Sequence, residues 1–184
     1  MSGADPASTD HQRTNVRWVI LALLFVASFV AYVLRTNMSI AGENMMTDLG
    51  LSKIQLGIVL SAFAWGYAIF QFPGGVLGDI FGCRRTLTVM ALMWGILTLA
   101  TGLVPGSTLA STTLILTTLV ALRFLVGVVQ APLFPVCCGG TIGSWFPVSG
   151  WAFPNGLTST GLTLGAAASA PLIAWLMQTP VSYT

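Results

Sequence analysis

Between residues 86 and 184 this chain carries one charged side chain, Arg123, and between residues 18 and 34 it carries none. No other feature narrows the possible folds so sharply. A helix needs about 20 predominantly apolar residues to cross the hydrocarbon of a bilayer, and the longer run holds several such lengths. In lipid every backbone N–H and C=O must find its partner within the protein, and a helix meets that condition inside a single segment. Composition agrees: apolar residues are 55% of the 184 and charged residues 7%, against about 25% charged in a soluble domain. Charge therefore cannot cover a water-facing surface. The fold class is all-α, a polytopic bundle of membrane helices.

The same composition excludes several functions. A formal net charge of +2, with no cluster of Lys and Arg among aromatics, gives nucleic acid nothing to bind. Cys137 and Cys138 are adjacent and point to different sides of a helix, and no second pair stands at metal spacing. No metal and no cofactor is expected. An enzyme embedded in the membrane needs a nucleophile and base, or clustered ligands, within its spans. Here the one histidine, His11, lies in a polar N-terminal stretch and no acid lies in a helix core. The chain is not read as an enzyme.

Residues 1–15 are polar and are read as a disordered cytoplasmic tail. Five helices follow, at about residues 16–40, 54–78, 86–104, 111–144 and 152–177, with residues 179–184 left as an end. The first apolar run exceeds the length of a signal-peptide core, although Ser39-Ile40-Ala41 faintly resembles a cleavage site. Pro105-Gly106-Ser107 marks a turn, and Pro132 and Pro135 are expected to kink the long fourth helix. Arg13 and Arg17 precede the first helix, and Arg84 and Arg85 separate the second from the third, whereas Lys53 is offset by Glu43 and Asp48. The positive-inside rule then puts the N-terminus and the second-to-third turn in the cytoplasm.

Against this apolar background two arginines stand out, Arg35 and Arg123. A charge at the bilayer centre costs roughly 2.5 to 3.5 kcal/mol on insertion scales, and such residues face a wet cavity or a partner. A cationic cavity is a place to hold an anion. Helical spacing assembles a candidate site around it: Tyr32 lies one turn before Arg35, and Tyr67 and Gln71 share a face of the second helix. Arg123, Gly127 and Gln130 form a stripe on the fourth, and Ser159, Thr160 and Thr163 bring hydroxyls from the fifth. Simpler roles stand beside these. Arg35 near its helix end can snorkel to the interface. Tyr67 and Gln71 can bond between helices, Arg123 can brace the bundle, and the hydroxyls can bond their own backbone.

The turn Gly75-Val76-Leu77-Gly78-Asp79-Ile80-Phe81-Gly82-Cys83-Arg84-Arg85 resembles the G-x-L-x-D-R-x-G-R-R signature of the major facilitator superfamily, with Ile80 and Cys83 where basic residues are usual. The resemblance marks Gly75, Asp79, Gly82 and Arg84 as a conformational-switch motif. It narrows to the anion:cation symporter branch through Tyr32-Val33-Leu34-Arg35-Thr36-Asn37, Gly66-Tyr67-Ala68-Ile69-Phe70-Gln71-Phe72-Pro73-Gly74-Gly75, Arg123-Phe124-Leu125-Val126-Gly127 and Trp145-Phe146-Pro147. It covers residues 18–177 or so. What it implies is transport of a small organic anion, a carboxylate or sugar acid, by alternating access in a bacterial inner membrane. It implies that Arg35 grips the carboxylate; with the residues that helical spacing gathers, the expected substrate-binding set is Arg35, Tyr32, Tyr67, Gln71, Arg123, Gln130 and Thr160.

Two departures from the family pattern follow. Leu34 and Gln130 stand where proton-coupled relatives often carry acids, so no carboxylate relay runs through those positions. The family also has twelve helices in two six-helix halves, and residues 16–178 supply five. The expectation is an incomplete N-terminal half lacking a C-terminal partner half; the alternative is a non-transporting truncated fragment that binds only an anion or a partner helix.

Overall fold

A computed structural model describes residues 13–104 and 111–178 of the chain. The tail up to residue 12, the turn at residues 105–107 and the end at residues 179–184 lie outside the described residues. Five long helices dominate: α1 (Arg13–Leu49), α2 (Lys53–Phe81), α3 (Cys83–Gly102), α4 (Thr112–Gln130) and α5 (Ala152–Gln178). No strand occurs among the described residues. Each of the five contains a stretch long and apolar enough to cross a membrane. The all-α membrane bundle is the observed fold.

Two boundaries differ from the sequence expectation, each for a local reason. Helix α1 begins at Arg13, inside the expected tail, and runs past residue 40 to Leu49. Its polar end, from Asn37 onward, still has good helical residues, and only Gly50 stops it. Gly50 takes φ 64° and Leu51 N–H donates to the Met46 carbonyl at 3.0 Å, the hydrogen-bond pattern of a glycine-terminated helix. The apolar span ends earlier, at Gly42, so the last turns of α1 extend beyond it. The second difference is the fourth helix, expected to run through residue 144. Helix α4 ends at Gln130 because Pro132 lacks an N–H and its ring collides with the carbonyl four residues back. A short helical turn (Leu133–Pro135), a π-helical segment (Val136–Ile142) and another short turn (Gly143–Trp145) lead on toward α5. In the π segment the Thr141 hydroxyl donates to the Val136 carbonyl at 3.1 Å, five residues back.

Capping sharpens the other ends. Ser52 and Gln55 form a reciprocal capping box at the start of α2, with Ser52 N–H donating to Gln55 Oε1 at 2.8 Å. Ser111 Oγ accepts from Leu114 N–H at 3.4 Å at the start of α4. Gly82, at φ 82°, makes the one-residue corner between α2 and α3.

The bundle is built as two close helix pairs, α1 with α5 and α2 with α4. Small residues make both possible. A Cβ at Gly66 or Gly127 would collide with the Phe124 and Phe63 carbonyls respectively, so the α2 and α4 backbones touch directly. Gly161 and Gly165 lie under the Phe25 and Phe29 carbonyls and do the same for α5 and α1. This spacing of small residues is how membrane helices gain dispersion contacts where lipid gives no hydrophobic drive. Helix α3 lies on the flank of α4. The core runs in patches: Met38, Leu51, Val59, Ile115 and Leu119 at one end, then Phe63, Leu97 and Val126, then Leu24 and Ile142. Leu23, Trp65, Leu92, Leu99 and Trp175 point outward and are exposed, a surface suited to acyl chains. Threonine hydroxyls along the spans, Thr36, Thr98, Thr101 and Thr158 among them, donate to carbonyls four residues back and so need no other partner.

Candidate anion-binding site

Between the two helix pairs lies a cavity of about 270 Å³, and Arg35 of α1 is the charged group in its wall. The guanidinium does not reach away from the bundle. Its central carbon lies 5.3 Å from the Tyr32 ring centre, 5.0 Å from that of Phe63 and 5.0 Å from that of Tyr67. Three aromatic faces thus surround one cation. Each such contact contributes about 0.5 to 2 kcal/mol, more as water is removed. The cage tolerates the charge without neutralising it, since among the described residues no carboxylate takes part. Tyr32 arrives from the preceding turn of α1. Phe63 and Tyr67 stand one turn apart on α2, with ring centres 6.1 Å apart and planes 20° from parallel.

Gln71 adds an amide one turn further along α2, and Gln130 adds another from the last turn of α4. Gln130 is 4% exposed, and its Nε2 has no hydrogen-bond partner. Ser28, Ala31, Leu133, Phe134 and Leu162 complete the wall. Five of the seven expected contact residues, Tyr32, Arg35, Tyr67, Gln71 and Gln130, therefore meet in one cavity. Phe63 was not among the expected contacts. Its place four residues before Tyr67, on the same face of α2, was the available signal.

Two of the expected residues are placed elsewhere. Thr160 is exposed, and its hydroxyl donates to the Gly156 carbonyl at 2.9 Å. Arg123 lines a second cavity, of about 400 Å³, with Leu34, Asn37, Trp94, Thr98 and Thr101. Its Nε is buried with no hydrogen-bond partner. Arg123 and Gln130 are seven residues apart on one helix, but Arg123 lines the second cavity while Gln130 shares the wall of the first with Arg35. An apolar groove between α1 and α3, with Leu34, Trp94, Thr98, Gln130 and Leu133 in its wall, runs between the two cavities.

The turn motif occupies the far end of α2. Asp79 on α2 and Arg84 on α3 are exposed, Gly75 is half-buried, and Gly82 is the corner between them. Gly74 and Gly78 make the close approaches here, against Pro132 and Val136. Cys83 in turn sits against Gly140 of the π segment. The turn is thereby in contact with the irregular stretch that follows Gln130.

Residues 24–183 match the family model described as Major Facilitator Superfamily. Among curated proteins, the chain is 38% identical over 165 residues to the probable galactarate/D-glucarate transporter of Bacillus subtilis, covering 90% of this chain and 35% of that protein. It is 36% identical over 162 residues to the probable sulfoacetate transporter of Cupriavidus necator, covering 88% of this chain and 35% of that one. It is 32% identical over 162 residues to the D-galactonate transporter of an Escherichia coli strain, again covering 88% and 35%. The chain thus spans about a third of the length of these relatives.

Proposed function

The chain belongs to the Major Facilitator Superfamily and is an integral membrane protein, and from that premise we propose that it holds the carboxylate-binding side of a transporter for small organic anions. The substrate is a sugar acid, carried across a bacterial cytoplasmic membrane by alternating access. Residues 16–178 form most of an N-terminal bundle, with the N-terminus in the cytoplasm. A second bundle, corresponding to the remaining length of the relatives, closes the site from the other side. Rocking of one bundle against the other exposes a midplane site alternately to each face of the membrane.

One observation carries this reading: among the described residues Arg35 stands in a cavity with no acid in its wall, held by three aromatic rings and with no carboxylate beside it. A planar guanidinium with unclaimed donors suits a bidentate carboxylate. Tyr32, Tyr67 and Gln71 supply phenols and an amide for the hydroxyls of a sugar acid, and the Gln130 amide supplies a further donor. The names of the relatives, which include transporters of galactarate, D-glucarate and D-galactonate, support the substrate class. Arg123 and Thr160 serve the bundle or a later conformation. Gly75, Asp79, Gly82 and Arg84, beside the segment that follows Gln130, serve as the switch. With Leu34 and Gln130 in place of acids, the anion binds without a proton.

Equilibrium binding of radiolabelled D-glucarate and D-galactonate to the detergent-purified chain tests the reading. Saturable binding that Arg35→Ala weakens about a hundredfold is the expected result, and binding indifferent to that substitution sinks it. Uptake into vesicles, measured beside it, separates a transporter from a chain that only binds.

A further inference from the structure

Gln130 has a property the binding reading leaves unused. Its side chain is 4% exposed, it shares the cavity wall with Arg35, and its Nε2 has no hydrogen-bond partner. A buried donor left unmet carries its full desolvation penalty. An acceptor arriving with the ligand removes that cost.

Charge decides which acceptor fits. Neither the Arg35 cavity nor the Arg123 cavity has an aspartate or glutamate in its described wall, so two cations lie within the bundle with no acid beside them. A hydrogen bond to an ionised acceptor is roughly twice as strong as one between neutral groups. A second negative charge on the ligand also offsets a cation that a single carboxylate leaves uncompensated. The dimensions agree. A sphere of the cavity's volume is about 8 Å across, small for a ligand site, and an extended six-carbon chain measures about 6 Å between its end carbons.

We infer that Gln130 is the specificity-determining residue for ligand charge: its amide N–H receives a second carboxylate, so the site selects dianions ionised at both ends over monoanions of the same length. An acid at this position would repel that second carboxylate, whereas an amide donates to it. The inference rests on Arg35 binding the first carboxylate.

Competition binding to the purified chain, with the six-carbon aldarate and aldonate of one hexose as probes, tests it at neutral pH. The aldarate is expected to bind about tenfold or more tighter than the aldonate. Gln130→Met, close in shape but without the donor, and Gln130→Glu should each erase most of that preference, the aldarate losing about tenfold more affinity than the aldonate. Equal affinities in the unaltered protein overturn the inference and leave the Arg35 reading standing, because a neutral hydroxyl then satisfies the amide as well. A preference that persists in both variants also overturns it. Binding of neither probe removes the inference together with the reading beneath it.

Discussion

Arg35 draws its importance from a balance between desolvation and caging. Guanidinium is more weakly hydrated than ammonium and stacks on aromatic faces, so Tyr32, Phe63 and Tyr67 can hold it inside the bundle with its N–H groups unspent. Arg35→Ala is expected to weaken carboxylate binding about a hundredfold, near 2.7 kcal/mol. Arg35→Lys keeps the charge but loses the planar fork and the stacking, and should weaken it about tenfold. Isothermal titration on the three proteins checks the order. If lysine binds as well as arginine, the ring cage has no role in recognition. Much of this site was legible from helical spacing alone: Tyr32 with Arg35, and Tyr67 with Gln71. The separation of Arg123 from Gln130 was not. Seven residues make about two turns, so both side chains start on one face of α4. Which neighbouring helix each meets is decided by where α1, α2 and α3 lie around it.

At the scale of elements, one substitution made at two places on α2 has opposite consequences. A methyl group at Gly66 meets the Phe124 carbonyl, backbone that cannot move aside without parting α2 from α4. Gly66→Ala should cost about 1 to 3 kcal/mol. At Gly57 a Cβ meets nothing within 4 Å. Gly57→Ala should instead stabilise by about 0.5 to 1 kcal/mol through helix propensity. Thermal unfolding in one detergent compares them, and equal shifts in Tm would show that the α2–α4 contact is not as close as described. The sequence showed that glycines were abundant and that membrane helices use them. It did not show which helix each faced, because Gly57 and Gly66 are alike until their partners are placed. The end of α4 was half legible. Pro132 signalled a distortion, but a bent continuous helix and a broken one followed by a π segment are equally consistent with a proline.

For the whole molecule, charge distribution makes two further predictions. Lys53 is the only lysine, stands exposed at the start of α2, and lies on the outer side in the proposed topology. A membrane-impermeant amine reagent should label it in intact cells; labelling only after lysis would invert the topology. Among the described residues the wall of the Arg35 cavity holds no carboxylate or imidazole, the groups that titrate between about pH 5 and 8 when free or shifted. Anion binding should then vary less than about threefold across that range, and a steep dependence would reveal a titrating group in the site. By itself the sequence determined the class of fold, since uncharged runs this long satisfy their backbone in lipid only by coiling on themselves. It also determined that any polar function must centre on a few rare residues, because burying more of them costs too much. Only the tertiary structure decided that Arg35 and Arg123 open into different cavities and that Gln130 belongs with the first. Those outcomes depend on which helices pair, and the pairing is set by close backbone contact at glycines, a property of two surfaces together that neither strand of sequence contains.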